Sequence, residues 1–359
     1  MRPASHRTST QATVRVGEII SGDRLAAGGP NADASMQCDV VIVGSGAGGS
    51  VAACQLAEAG LEVLVLEEGP YVAPAEYGGL RPSESLRRVW RDGALTAAVS
   101  LADSPVVNVT MGRCVGGSSV LTGGVCFRTP DEVLHAWQKE RGLPHYGPDD
   151  MAPYFDEVER DVHVETVPTS MRSHSTVLFA RGAERLGVTL DPIRRNTQGC
   201  NGCGQCNFGC PHGAKLSVDV SYLPRAIRRG ARVIADAHVD RVLTHGGHAT
   251  GVRGRFRNGA TFDVRAKAVV LAAGAAHTPL LLARSGLGKR SGALGRHLTL
   301  HPSVRMMARF DESVRGWSGA LQSAYSDAYF HEKLTLVSVF VPPSTVAAGL
   351  PGIGPALTD

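Results

Sequence analysis

The chain has 359 residues, 43% of them hydrophobic and 19% charged, and 37 basic against 33 acidic side chains leave a formal charge of +4. These values exclude a disordered chain and a nucleic-acid surface; the local cluster Arg87, Arg88 and Arg91 reads as a solvated helix face. No run of about 18 apolar residues occurs, so no transmembrane segment is expected, and a cytoplasmic location follows by default.

Residues 1–37 are polar and carry no apolar core of the kind a signal peptide needs, so they read as a flexible extension. From Cys38 the chain reads CDVVIVGSGAGGSVAACQLAEAGLEVLVLEEG. The β-branched run Val40 to Val43 predicts a strand buried on both faces of a parallel sheet. The turn Gly44-x-Gly46-x-x-Gly49 follows directly, then a helix from about Ser50 to Ala59 with Gly60 to end it. A second strand, Leu61 to Leu66, ends at Glu67 and Glu68. In such a unit Gly44 permits the tight turn, Gly46 lets the backbone approach a pyrophosphate, and Gly49 lets helix and strand pack closely. The helix N-terminus offers unpaired N–H groups to phosphates, which makes Gly44, Gly46, Ala47 and Gly49 the candidate contacts. Glu67, 23 residues after Gly44, is placed to accept hydrogen bonds from ribose hydroxyls. The motif alone does not separate NAD from FAD.

From Met111 the chain reads MGRCVGGSSVLTGGVCFRTP. Its Gly116-Gly117-Ser118-Ser119 core resembles the second flavin-contacting segment of the glucose–methanol–choline (GMC) oxidoreductases. The resemblance implies that Gly112, Arg113, Gly117, Ser118, Thr122, Gly123, Gly124 and Val125 line the flavin. Many members carry Asn where Thr122 stands here, which changes one expected contact. Three alternating segments follow from Arg232, separated by turn signals at His245–His248 and Asn258-Gly259, and predict an antiparallel meander. The apolar run Ala268 to Leu271 then ends in Ala272-Ala273-Gly274. By resemblance Val239 contacts the adenine through its backbone, and Ala273 and Gly274 pass near the dinucleotide. The stretch from Thr278-Pro279 to Ser285-Gly286 matches the family's second fingerprint, and the likeness continues to about Val304.

Four of the eight cysteines fall in Cys200-x2-Cys203-x2-Cys206-x3-Cys210-Pro211, the bacterial ferredoxin spacing. The segment also resembles that of long-chain alcohol oxidases and dehydrogenases of the family. Two readings stay open: ligands of an iron–sulfur cluster that relays electrons from the flavin, or structural thiols.

The resemblance implies an α/β fold. A Rossmann-like FAD-binding domain, with a parallel sheet and an antiparallel meander (38–148 and 232–296), is interleaved with a smaller α+β substrate or cap domain (149–231 and 297–359). It further implies FAD as cofactor, an alcohol substrate of long-chain or bulky type, hydride transfer to flavin N5, and an external acceptor or oxygen. Family members use a C-terminal histidine segment that has no counterpart here, so the chain reads as C-terminally truncated. His212, His277 and His301 read as structural or surface residues, and no catalytic residue is assigned. Three other readings stand beside this one. They are a non-catalytic fragment that binds FAD weakly or needs a complementing polypeptide, a nicotinamide-dependent dehydrogenase, and an electron carrier built on the cysteine loop.

Overall fold

The computed structural model describes residues 9–11, 18–26, 29–99 and 106–340. The chain divides into two compact units, the first drawn from Met1–Glu76, Ser83–Val120 and Val218–Arg305, the second from Tyr77–Pro82, Leu121–Ser217 and Met306–Asp359.

The first unit is built on an eight-stranded sheet. Its strand order is Ala237–His245, His248–Phe256, Thr261–Leu271, Asp33–Val43, Val63–Leu66, Arg232–Ala235 and Ile19–Ser21. Ser9–Gln11 pairs with Asp33–Val43 off this path. The central pairs are parallel, and Val41, Ile42, Leu64 and Val65 on them are wholly buried, as the continuous apolar runs predict. The expected meander is present, but its third segment and the returning apolar run form one strand of 11 residues, Thr261–Leu271. That strand pairs antiparallel with the hairpin over Thr261–Arg265 and parallel with Asp33–Val43 over almost its whole length. The fold expected from the sequence is therefore the fold observed.

The division into units differs from the expected domains at several boundaries: 77–82 and 121–148 fall in the second unit, and 297–305 and the two stretches that follow fall in the first. Ile19–Ser21 and the strand from Asp33 belong to the sheet rather than to a flexible extension. Ser21 donates to Asp236 at 2.8 Å, and Asp23 pairs with Arg257 at 2.9 Å, so contacts far along the chain hold this stretch. Residues 1–8, 12–17, 27 and 28 lie outside the described residues. The helix Tyr222–Arg228, read as cap, packs instead on the helix Ala47–Glu58, with Arg225 3.1 Å from Glu58. Four of its seven residues are buried, which draws 218–231 into the first unit.

In the second unit the helices Asp131–Arg141, Pro148–Asp161 and His174–Arg185 accompany a small sheet of Asp191–Pro192, Ala324–Ser326 and Leu336–Val337. Ser173 caps the third helix by accepting the Thr176 N–H at 3.2 Å. Glu159 is clamped between Arg128 and Arg194, both at 2.7 Å, and this holds its carboxyl down at about 2. No helix among the described residues is long and apolar enough to cross a membrane.

Candidate functional site

The strand Asp33–Val43 delivers the chain into Gly44, whose φ of +99° lies in the left-handed region. A Cβ there would stand 2.4 Å from the Ala272 carbonyl oxygen. One at Gly49 would stand 1.9 Å from the Gly44 carbonyl oxygen, so helix and turn touch backbone to backbone. At Gly46 the same Cβ would meet nothing, which leaves an open face above the turn. Gly46 is the N-cap of Ala47–Glu58 and brings no side chain to cap it. The first-turn N–H groups are thus left for a ligand, and the open space at Gly46 gives it room.

The Gly-Gly-Ser-Ser loop joins this turn within the first unit. A Cβ on Gly117 would lie 2.9 Å from Gly46 Cα. The Gly112 N–H donates to Ser118 Oγ at 2.9 Å. Ser45, an unspecified position of the glycine motif, is the junction: its Oγ donates to Glu67 Oε2 at 2.8 Å and accepts the Gly116 N–H at 3.0 Å. Sequence reasoning missed it because its role depends on a loop 71 residues away.

Glu67 is only 6% exposed. It accepts from Ser45 N–H at 3.0 Å, from the Ser45 hydroxyl, and from Gly69 N–H at 2.9 Å. Burial is the largest influence and pushes its carboxyl up, against these donors and the Arg91 charge. In this structure its role is to brace the two loops. The neighbouring Glu68 pairs with Arg91 and lies 3.1 Å from His238 Nδ1. Burial pushes His238 down, while Asp240 opposes the shift. Val239 lies buried on the strand that follows, anchored where the Ala237 N–H meets the Glu67 carbonyl at 2.8 Å.

Ala273 is the N-cap of Gly274–Arg284, also without a side-chain cap. Gly48, Leu271, Ala272, Gly274, Ala275, Thr278 and Pro279 line an open cleft of about 450 Å³. An uncapped helix start, open space at Gly46 and a serine–glutamate brace beneath suit a dinucleotide pyrophosphate, so these residues fit the cofactor expected from the sequence. Arg113 is exposed.

Thr122, Gly123, Gly124 and Val125 belong to the second unit. The Thr122 carbonyl accepts from Lys215 Nζ at 2.7 Å and the Gly123 carbonyl from Arg195 Nε at 2.7 Å. The Gly124 carbonyl accepts the Asn196 N–H at 3.0 Å. Arg195 and Lys215 are 1% and 2% exposed.

Of the two readings of the cysteine segment, the iron–sulfur one finds no support in the structure. Among the described residues no group of three His, Cys, Asp or Glu side chains could hold a metal ion. Gly199, Gly202, Gly204 and Gly209 have positive φ, and the four thiols differ in burial and in hydrogen-bond partners. Cys206 is buried against Leu321 and Phe340, and its Sγ accepts from Arg195 Nη2 at 3.0 Å. Cys210 Sγ accepts the Lys215 N–H at 3.5 Å, Cys203 is exposed, and Cys200 is half-buried. His212 and His301 are exposed and His277 is half-buried.

A family model described as GMC oxidoreductase matches residues 38–303. An uncharacterized GMC-type oxidoreductase of Mycobacterium tuberculosis is 41% identical over 323 residues, covering 89% of this chain and 51% of that protein. A long-chain-alcohol oxidase of Arabidopsis thaliana is 33% identical over 300 residues, covering 80% of this chain and 39% of that protein. The chain thus spans about half the length, or less, of these two curated relatives. Among solved structures, pyridoxine 4-oxidase from Mesorbium loti has a TM-score of 0.55 at 22% identity, covering 71% of this chain and 53% of that chain. That likeness supports the fold.

Proposed function

The chain belongs to the GMC oxidoreductase family, and on that premise we propose that it is the FAD-binding portion of an oxidoreductase acting on the CH–OH group of an alcohol. FAD, when bound, supplies the hydride acceptor at N5, and an external acceptor or oxygen reoxidises it. Gly44, Gly46, Ala47 and Gly49 would hold the pyrophosphate through the turn and the first-turn N–H groups of the helix. Glu67 would offer its remaining acceptor capacity to the ribose while bracing Ser45. Val239 would meet the adenine, and Ala273 and Gly274 would pass beside the dinucleotide. Gly112, Arg113, Gly117, Ser118 and Thr122 to Val125 would line the flavin. A long-chain or bulky alcohol is the substrate class, on the likeness to a long-chain-alcohol oxidase.

The observation that carries this reading is the Ser45–Glu67–Gly116 junction beneath an uncapped helix N-terminus. Fluorescence titration of FAD and of NAD tests it. Saturable quenching of FAD fluorescence with no NAD binding supports the flavin reading, whereas NAD binding alone overturns it.

One observation favours a second reading. Val304, Met306 and Met307, on either side of Arg305, are 90%, 93% and 82% exposed, apolar side chains that a complementing polypeptide would cover. In that reading FAD binds tightly only after the partner does, and titrations with and without the partner polypeptide separate the two.

A further inference from the structure

Six residues other than glycine have positive φ among the described residues, and Asp236, at +57°, is the buried one, 6% exposed. The left-handed region strains a side chain, Asp and Asn least, and such strain persists where the surroundings over-determine it. Asp236 makes the turn between Arg232–Ala235 and Ala237–His245. Three backbone bonds zip this turn to the end of Val63–Leu66. The Glu67 N–H donates to the Ile234 carbonyl at 2.8 Å, the Asp236 N–H to the Gly69 carbonyl at 3.0 Å, and the Ala237 N–H to the Glu67 carbonyl at 2.8 Å.

A glycine could supply the left-handed backbone, so the carboxylate has a task of its own. Its Oδ2 accepts from the Ser21 hydroxyl at 2.8 Å, and its Oδ1 lies 3.4 Å from Arg257 Nη1. The Arg257 N–H donates to the Asp236 carbonyl at 3.0 Å. Asp23 closes the ring: it accepts from Arg257 Nε and Nη2 at 3.0 and 2.9 Å and from the Asn258 N–H at 2.9 Å. Between Ser21 and Asp23 only a glycine fits, because a Cβ on Gly22 would stand 2.0 Å from Phe256 Cδ1. Residues 19–26 thus clamp the Asp236 turn to the Arg257–Asn258 turn, and every member of the clamp belongs to the first unit. What the clamp holds is the ground beneath Glu67 and, two residues past Ala237, Val239.

We propose that Asp236 is a positioning residue for the adenosine half of the dinucleotide: held by Ser21 and Arg257, it fixes the turn that presents Glu67 to the ribose and Val239 to the adenine, and it makes the segment 19–26 part of the binding machinery. The inference rests on the cofactor reading given above and deepens it. It also gives the polar stretch ahead of the glycine motif a role that no spacing in the sequence announces.

The test uses the full chain, with FAD followed by fluorescence quenching and with ADP and 2′-deoxy-ADP followed by calorimetry. The wild type is expected to prefer ADP to 2′-deoxy-ADP about threefold or more, the weight of one hydrogen bond to the ribose. Asp236→Gly keeps the left-handed backbone and removes the carboxylate. It should weaken FAD and ADP about tenfold and bring the preference down to about one. Asp236→Asn, which tolerates the left-handed region and keeps an acceptor for Ser21, should recover most of both. A residue that only stabilised the fold would lower the urea midpoint and leave the preference of the folded chain untouched. If Asp236→Gly does not fold, Ser21→Ala carries the test, with ADP binding about threefold weaker and a reduced preference expected from one lost hydrogen bond. An unchanged preference in folded Asp236→Gly, or in Ser21→Ala where that variant is used, overturns the clamp alone. A wild-type chain that shows no preference, or that binds neither FAD nor ADP, overturns the cofactor reading first and the clamp with it.

Discussion

The Gly44–Gly49 turn and the cysteine segment 199–211 are both glycine-rich, and both carry a spacing that names a ligand. In the turn two of the three specified glycines are fixed by backbone that they touch, and Gly46 stays open. Gly49 meets Gly44, Gly44 meets Ala272 beyond the paired strand, and the helix begins at Ala47, inside the motif. In the cysteine segment the spacing is equally regular, yet Cys206 turns inward to Arg195, Cys210 receives the Lys215 N–H, and Cys203 faces solvent. A motif is informative when local backbone sterics enforce its geometry. Where the thiols differ in burial and hydrogen-bond partners, sequence spacing alone does not name their role.

Breaking the turn gives the largest effect. Gly49→Ala forces a Cβ against the Gly44 carbonyl, an overpacking that costs about 1–3 kcal/mol of stability. FAD binding should fall by about a hundredfold or more, because the pyrophosphate seat moves with the helix start. Unaltered binding in a titration would remove the turn from the site.

Next in size is Glu67→Ala, which orphans the Ser45 N–H, the Ser45 hydroxyl and the Gly69 N–H at about 1–3 kcal/mol for each buried group left unpaired. The carboxyl itself is pushed up by burial, so the folded state holds its proton to higher pH than the unfolded chain does. Its contribution is full below the unfolded value of about 4.3 and is lost as pH rises through the raised folded value. Urea midpoints measured across that window should show this slope in the wild type and lose it in Glu67→Gln.

Glu159 titrates in the opposite sense and with a smaller effect. Arg128 and Arg194 hold it at about 2, so its stabilisation is present above about pH 4.3 and disappears as pH falls toward 2. Glu159→Gln should flatten that acid limb and cost about 1 kcal/mol or less at neutral pH. An unchanged acid limb would mean that the clamp seen in the structure does not form in solution.

The smallest effect sharpens the comparison most. Cys200→Ser with Cys203→Ser should change stability by about 0.5 kcal/mol or less and leave the purified chain without iron, as before. A cluster protein would instead lose structure when its ligands are removed. Iron and acid-labile sulfide in the wild type, lost in the double variant, would contradict the reading of these cysteines as structural thiols.

These same regions show why part of the molecule was legible and part was not. The strand, turn, helix and second strand could be read because alternation, β-branching and glycine act within a few residues. The meander was legible from its turns. Its fusion with the returning strand was not, since Ala266 and Ala268 continue the pairing with Asp33–Val43 rather than break it. Ser45 was invisible because the motif leaves its position open. Arg195 and Lys215 stand 72 and 93 residues from the carbonyls they hold, in no motif, and only the folded second unit brings them there. Ile19–Ser21 looked like a polar tail because its partner, Arg232–Ala235, is far along the chain.

The most direct test is the visible absorption spectrum of the freshly purified chain, before and after acid precipitation, with added FAD as a second arm. The account predicts a flavin spectrum on the protein that passes into the supernatant with acid as intact FAD. A folded, colourless chain that takes up no added FAD would contradict the claim that the Ser45–Glu67–Gly116 junction serves a flavin.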